Sequence, residues 1–258
     1  MSYDAVVIPS YGRPQGCAND TVATLLAGQV PAARIQVWVG NGDDPETMAA
    51  YRAAMPDPAV TLLPAPVGLA RARNAISSAW PAGAHLVHCD DDLRAVRRLR
   101  NGKLEDAPNL SAFFTEAFAY TQKACVGLWG LAPVYNAFFM RQKWQCGLYF
   151  AIGQCFGVVN DPAVQLRHGA KEDYERTLAY YTKYGAVARI NDHVAHTRPM
   201  RGHPGGMQTV AGCDGMDRRA AEREATEEIA ARWPYLVRLK KSRDGFPEIA
   251  LTQPQGVH

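Results

Sequence analysis

The sequence predicts an α/β protein with a mostly parallel, doubly wound sheet flanked by helices, followed by a mixed region. Three observations predict it. Apolar strand-like runs and helical stretches alternate four times before residue 90, joined by short connections, which is the pattern of parallel strands linked by right-handed crossovers. The fourth run, Leu86-Val87-His88-Cys89, ends abruptly in Asp90-Asp91-Asp92. Beyond Leu93 the pattern gives way to basic, aromatic and turn-punctuated segments.

Each element has its own local reason. Ala5-Val6-Val7-Ile8-Pro9 is an apolar run closed by proline, and the turn formers Ser10 to Pro14 follow it, so it reads as a buried strand feeding a loop. Asn19 or Asp20 is placed to cap a helix through Val22, Leu25 and Leu26, and Ile35 to Val39 returns as the second strand. A helix over Glu46 to Ala54 and a strand at Val60 to Leu63 follow. Gly68 precedes a helix from Leu69 to Ile76, and His85 to His88 makes the fourth strand. In such sheets ligands bind beyond the carboxyl ends of the strands, where Ser10 to Arg13, Asn41 to Asp44 and Asp90 to Asp92 fall.

Arg94, Arg97, Arg98, Arg100 and Lys103 surround Asn101-Gly102, a two-residue hairpin signal, so this stretch predicts a basic hairpin. Leu110, Phe113, Phe114, Ala117, Phe118 and Thr121 mark one face of a helix. Cys125 to Asn160 is rich in aromatics and glycine, which suits strands and a pocket wall; Trp129 and Asn136 are candidate acceptor contacts. Lys171-Glu172-Asp173-Tyr174 opens a helix that Gly185 ends, and Ala186 to Ile190 reads as a strand. His193, His196 and His203, near Gly205-Gly206, include a candidate metal ligand. Asp217 starts an alanine- and glutamate-rich helix that Pro234 stops, and Arg238, Lys240, Lys241 and Arg243 before Asp244-Gly245 suggest a second basic hairpin.

Bulk properties narrow the function class. A chain of 258 residues with 47% hydrophobic and 21% charged residues is ordinary for a globular domain, and a single domain over 1–258 is expected, residues 1–93 forming one half and 94–258 the other. A net charge of +3 does not by itself announce nucleic acid, so local clusters of base matter more. The six cysteines show no C-x-x-C or zinc spacing and imply no disulfide framework. Met1-Ser2-Tyr3-Asp4 lacks a signal peptide's basic flank and no apolar run approaches bilayer length, so a cytoplasmic protein without a membrane partner is expected.

Three adjacent carboxylates repel one another, and a divalent cation is the simplest partner that makes the crowding favourable. An acidic turn is the alternative, and the run alone does not decide between them. The strand-loop start V-V-I-P-S-Y-x-R-P, the D-D-D after the fourth strand and the later E-D at a helix start together resemble the GT-A class of nucleotide-sugar glycosyltransferases, a Rossmann-like fold. The resemblance implies Mn²⁺ or Mg²⁺ on Asp90 and Asp92 and a nucleotide-sugar donor, a UDP-sugar first among them; His196 is a further metal candidate from the residues alone, since the histidines around it are no part of the pattern. It implies donor contacts from Pro9, Ser10, Tyr11 and Arg13, with Asp91 toward the ribose. Arg71 or Arg73 would add charge-assisted hydrogen bonds to phosphate. Asp173 matches the position of the catalytic base of an inverting enzyme, with Glu172 as the runner-up.

A narrower resemblance spans most of the chain. Trp129 to Met140, Leu148 to Gly153, Lys171 to Thr177, Ala188 to Asn191, Gly205-Gly206 and Glu248 to Leu251 are similar to phage glycosyltransferases associated with ten-eleven translocation dioxygenases. That resemblance implies transfer to 5-hydroxymethylcytosine in DNA, coupling to such a dioxygenase, and backbone contacts from the basic hairpins, Arg97 and Arg98 among them. The competing readings are a transferase acting on a carbohydrate or small molecule, a sugar-phosphate nucleotidyltransferase, and a non-catalytic DNA-binding module.

Overall fold

The computed structural model describes residues 2–197, 218–241 and 247–253. The chain opens with β1 (Ala5–Ser10) and a continuous helical run made of α1 (Pro14–Cys17), a π turn (Ala18–Val22) and α2 (Ala23–Ala27). There follow β2 (Ile35–Gly40), α3 (Pro45–Ala54), β3 (Thr61–Ala65), α4 (Leu69–Ala79), β4 (His85–Cys89), β5 (Leu93–Arg100), β6 (Lys103–Asp106) and α5 (Leu110–Lys123). The remainder is β7 (Leu128–Leu131), β8 (Trp144–Gly147), β9 (Cys155–Val159), α6 (Glu172–Tyr184), β10 (Val187–Ile190), β11 (His193–Thr197), α7 (Arg218–Arg232), β12 (Val237–Lys241) and β13 (Pro247–Leu251).

Eight strands form one sheet in the order β3-β2-β1-β4-β9-β7-β10-β8. The first four are mutually parallel, β9 runs antiparallel to both β4 and β7, and β8 runs antiparallel to β10. The expected parallel half and mixed half therefore share one sheet, and the seam between them is the β4–β9 pair. Alternation along β1 explains its two cores: Val6 and Ile8 pack with Phe114, Phe118 and Trp129 on one face, whereas Ala5 and Val7 pack with Ala72, Ile76 and Tyr180 on the other. The helices α5, on the first face, and α4 with α6, on the second, bury the apolar stripes their 3.6-residue spacing provides.

Both hairpins form. In β5–β6, Asn101 and Gly102 adopt φ of 50° and 74°, the positive pair a two-residue turn demands, and Arg97 faces Asp106 across the ladder. β11 adds a third strand to that ladder, with His193 opposite Arg98 and Thr197 opposite Leu93. β12 and β13 pair antiparallel and pack with α6 and α7 through Leu178, Ile229, Trp233 and Ile249. Among the described residues no helix is long and apolar enough to cross a membrane.

Two local expectations are corrected. The first helical run begins at Pro14, with proline in the first turn, and not at a cap on Asn19 or Asp20. Asp20 instead lies within the π turn, 7% exposed and 3.6 Å from Arg94. The segment His193–Thr197, read only as a source of histidines, is a strand because its neighbour β5 supplies a ladder edge that local sequence does not reveal. His203, Gly205-Gly206, the helix start at Asp217, Arg243 and the turn Asp244-Gly245 lie outside the described residues.

Candidate functional site at the carboxyl end of the sheet

The carboxyl ends of β1 and β4 are neighbours, so the loop after Ser10 and the turn after Cys89 meet. Asp91 is the buried member of the acidic run, 4% exposed. Ser10 donates to its Oδ2 at 2.7 Å, Arg13 Nε donates to the same oxygen at 3.2 Å, and Arg13 Nη2 donates to Oδ1. Tyr51, from α3, completes the knot: its hydroxyl lies 2.7 Å from Ser10 Oγ and accepts from the Arg13 amide at 3.2 Å. Burial raises the Asp91 carboxyl to about 6 against the opposing pull of Arg13 and Ser10.

Asp90 belongs to a second knot. Its backbone amide donates to Gln154 O at 3.0 Å, extending the β4–β9 ladder, and Thr21 holds its carbonyl at 2.7 Å. Arg73, 3% exposed on α4, donates through Nη2 to Asp90 Oδ1 at 3.0 Å and to Gly153 O at 3.2 Å, with Glu172 Oε1 at 3.6 Å. Arg176 Nη1 donates to Glu172 Oε2, and its Nη2 to Ala151 O at 3.0 Å. The ring of Phe156 is packed by both guanidinium groups, Arg176 at 3.6 Å and Arg73 at 4.7 Å from its centroid, and His88 stacks on it at 4.8 Å. Gly153 lets the pair approach closely: a Cβ there would lie 3.0 Å from Glu172 Oε1, so that carboxylate would have to shift.

The electrostatics of this second knot are unbalanced locally. Arg73 Nε and Nη1, Arg176 Nε and His88 Nδ1 are buried without a hydrogen-bond partner among the described residues. Burial, with Asp92 and Glu172 as like charges, lifts Asp90 to about 7 despite Arg73, although its carboxylate keeps 27% exposure at the rim. Burial and then Glu172 lift Asp173 to about 6. His88 is pushed well below its ordinary range by burial and by the two arginines, so it is neutral.

The expected site residues separate into those gathered here and those that are not. Ser10, Arg13, Arg73, Asp90, Asp91 and Glu172 are joined by the contacts above, and Asp173 adjoins Glu172 at the start of α6. Asp92 is half-buried in the turn. Five expectations are corrected. Trp129 is fully buried against Phe113, Phe114 and Phe118, so it is core and touches no acceptor. Pro9 is buried inside β1, and the Ser10 hydroxyl is engaged by Asp91 and Tyr51, so neither presents a free group to a donor. Glu172 is 4% exposed and held between two arginines, which suits positioning and not proton abstraction. Among the described residues no three His, Cys, Asp or Glu side chains gather as a metal group, so His196 does not join the acids as a third ligand; its ring stacks on Tyr135 at 4.7 Å.

Other candidates lie at the surface. Arg71 is exposed on α4, Tyr11 is half-buried after β1, and Asn136 is exposed, capping a short 3₁₀ turn (Ala137–Phe139) by accepting from the Phe138 amide at 3.0 Å. Arg97 is paired with Asp106 at 3.0 Å, and Arg98 is half-buried. Arg176 and Tyr51 were missed as site residues. Arg176 had a signal, four residues after Glu172 on a helix. Tyr51 had none, because it reaches the site from another helix across 41 residues of sequence.

No protein-family model and no curated protein matches the chain. Solved structures do. A mannosyltransferase from Pyrobaculum calidifontis, in complex with GDP-Man and Mn²⁺, is 14% identical with a TM-score of 0.52; the match covers 86% of this chain and 64% of that one. A glucosyl-3-phosphoglycerate synthase from Mycobacterium tuberculosis, in complex with Mn²⁺, UDP and glucosyl-3-phosphoglycerate, is 12% identical with a TM-score of 0.51, covering 99% of this chain and 89% of that one. This chain thus spans less than two thirds of the mannosyltransferase's length. At such identities the likeness speaks for architecture alone, and the architecture is the GT-A fold that the sequence led us to expect.

Proposed function

We propose that this chain is a metal-dependent glycosyltransferase that moves a sugar from a nucleotide donor, a UDP-sugar first among the candidates, to the hydroxymethyl group of 5-hydroxymethylcytosine in DNA. The observation that supports transfer chemistry most directly is the convergence of Asp90, Arg73, Glu172 and Asp173 at one end of a GT-A sheet. The solved neighbours, complexed with Mn²⁺ and GDP-Man or UDP, support a divalent cation and a nucleotide donor. The donor set suits that cation: Mn²⁺ or Mg²⁺ needs only one or two carboxylates when substrate phosphates complete its shell, and Asp90 and Asp92 supply two. When bound, it would stabilise the negative charge that grows on the departing diphosphate.

The chain's own residues account for the rest. Asp91 fixes Arg13 and the turn, which sets the direction of Asp90 and Asp92. Arg73, buried on α4, holds Asp90 Oδ1 at 3.0 Å and keeps a positive charge behind that carboxylate. Glu172 holds Arg73 and Arg176 in place behind Asp90. Asp173 takes the proton of the acceptor hydroxyl as that oxygen bonds to the anomeric carbon; the bond from the anomeric carbon to the diphosphate breaks, and the leaving group keeps the electron pair. A ten-eleven translocation dioxygenase supplies the hydroxymethyl base.

The test is incubation with hydroxymethylated DNA, Mn²⁺ or Mg²⁺ and a panel of UDP- and GDP-sugars, followed by mass analysis of released nucleosides. A hexose-sized gain on the modified nucleoside is expected. No gain with any donor overturns the acceptor. A second acceptor class has an observation in its favour: Arg97 and Arg100 of the basic hairpin already face Asp106 and Glu105, at 3.0 and 3.9 Å, which lowers the charge available for DNA. Transfer to free saccharides or small phosphorylated acids, and not to DNA, would select that reading.

A further inference from the structure

An aromatic loop overhangs the basic ladder. Between β7 and β8 the chain exposes Val134, Tyr135, Phe138 and Phe139 at 48, 42, 83 and 67%. Six residues hold four of the six large apolar side chains exposed on the described surface, whereas Phe113, Phe114 and Phe118 of the neighbouring helix are buried. The loop is built and not loose. Met140 is 5% exposed and packs with Leu99 and Leu104 of the hairpin, Gln142 Nε2 donates to Leu99 O at 3.3 Å, and Asn191 Nδ2 donates to Lys143 O at 3.1 Å. Asn136 caps the turn that presents Phe138 and Phe139, whose rings stand edge to face at 5.2 Å.

Two further observations fix what meets this loop. Tyr135 stacks on His196, and the next residue, Thr197, pairs with Leu93, the residue after the acidic run. The loop therefore lies beside the strand that ends next to the turn carrying Asp90 to Asp92. Its flanks are cationic: Arg141 and Lys143 are exposed, as is Lys103 at the hairpin tip, and among the described residues none of the three has an acidic partner. Exposed rings interleaved with unneutralised cations match the two faces of a nucleic-acid strand, stackable bases and regularly spaced phosphates. A membrane would accept the same phenylalanines, but it offers no ring to stack on and no reason for the loop to lie beside that strand.

We propose that the loop 133–143 is a nucleic-acid wedge: Phe138 and Phe139 stack against the bases beside the modified nucleotide while Lys103, Arg141 and Lys143 hold the adjoining phosphates. This rests on DNA as the acceptor and deepens that reading, because a base whose hydroxymethyl group must enter a pocket leaves a gap in the stack that an apolar ring fills.

The experiment uses a fluorescein-labelled duplex bearing one 5-hydroxymethylcytosine next to 2-aminopurine, with the full chain and its Phe138→Ala/Phe139→Ala variant. Both rings are exposed, so the variant should keep the wild-type melting temperature and its rate of donor hydrolysis without acceptor. Wild type is expected to bind the duplex and brighten 2-aminopurine; the variant should bind about tenfold or more weakly and leave the fluorescence dark. Arg141→Glu should lower the salt dependence of binding by about one ion instead. Equal binding and equal brightening by the two proteins overturn the wedge, even if wild type glycosylates the DNA. Phenylalanine-dependent binding without any sugar transfer keeps the wedge and sinks the glycosylation reading. Phenylalanine-dependent sedimentation with phosphatidylglycerol vesicles, with no binding to DNA, overturns it in favour of a membrane.

Discussion

Two buried arginine–carboxylate knots stand side by side at the end of the sheet, and they are built to opposite standards. In the first, Asp91 receives Ser10 and both faces of the Arg13 fork, and Tyr51 closes the ring. In the second, Arg73 and Arg176 share Glu172 and Asp90, yet among the described residues three guanidinium nitrogens and His88 Nδ1 are left without a partner. A closed knot serves geometry. An open one leaves buried donors unsatisfied among the described residues, a cost that geometry alone does not require.

The largest effect that separates them is on transfer. Asp90→Ala should reduce turnover by about a thousandfold or more, since it removes the proposed cation ligand, worth several kcal/mol in the transition state, while the fold remains; it should also abolish any rise in Tm produced by Mn²⁺. Activity surviving Asp90→Ala would mean that the second knot is structural as well.

Asp173→Asn should cost about 10²- to 10⁴-fold in kcat, the usual yield of a positioned base. As the proposed base it works as the carboxylate, and its folded-state value near 6 is above the ordinary ~4, so wild-type activity should fall by about tenfold or more per pH unit below 6. The stability sign is the reverse. The folded protein holds this proton more tightly than the unfolded chain, so ionisation destabilises as pH rises from about 4 through 6, and Asp173→Asn should melt higher than wild type above pH 6. A pH profile that stays flat down to 5 removes Asp173 as the base.

Glu172→Gln leaves two buried guanidinium groups without their shared charge and should destabilise by about 3 kcal/mol, read as a shift in urea midpoint. The smallest effect belongs to the closed knot. Ser10→Ala removes one donor from Asp91 and the partner of Tyr51, costing about 1–2 kcal/mol with little change in turnover. Should Ser10→Ala cripple transfer and Glu172→Gln leave stability intact, the two knots have been assigned the wrong way round.

Strand and helix periodicity made the parallel half legible, because β1 to β4 are short apolar runs whose crossovers are local, and the Asn101-Gly102 turn announced the β5–β6 hairpin beyond it. The acidic run was legible as like charges crowded at a strand end that need partners, and the structure supplies Arg13 for Asp91 and Arg73 for Asp90. Trp129 misled because an aromatic beside glycine looks the same in a wall and in a core; only the packing of Phe113, Phe114 and Phe118 around it decided. His196 misled for a related reason: proximity in sequence to glycines says nothing of the ring it stacks on.

By itself, then, the sequence determined the alternating elements of the parallel half, the pairing strands of the two hairpins and the acidic strand end, since these follow from periodicity, turn chemistry and charge within a few residues. The tertiary structure alone decided how Asp90 and Asp91 divide their labour. One is tied through Ser10 and Arg13 to Tyr51, the other through Arg73 to Glu172 and Gly153, and both sets of partners come from elements far along the chain. Adjacent identical residues in a turn point in different directions, and burial among distant charges, not identity, sets what each carboxylate does.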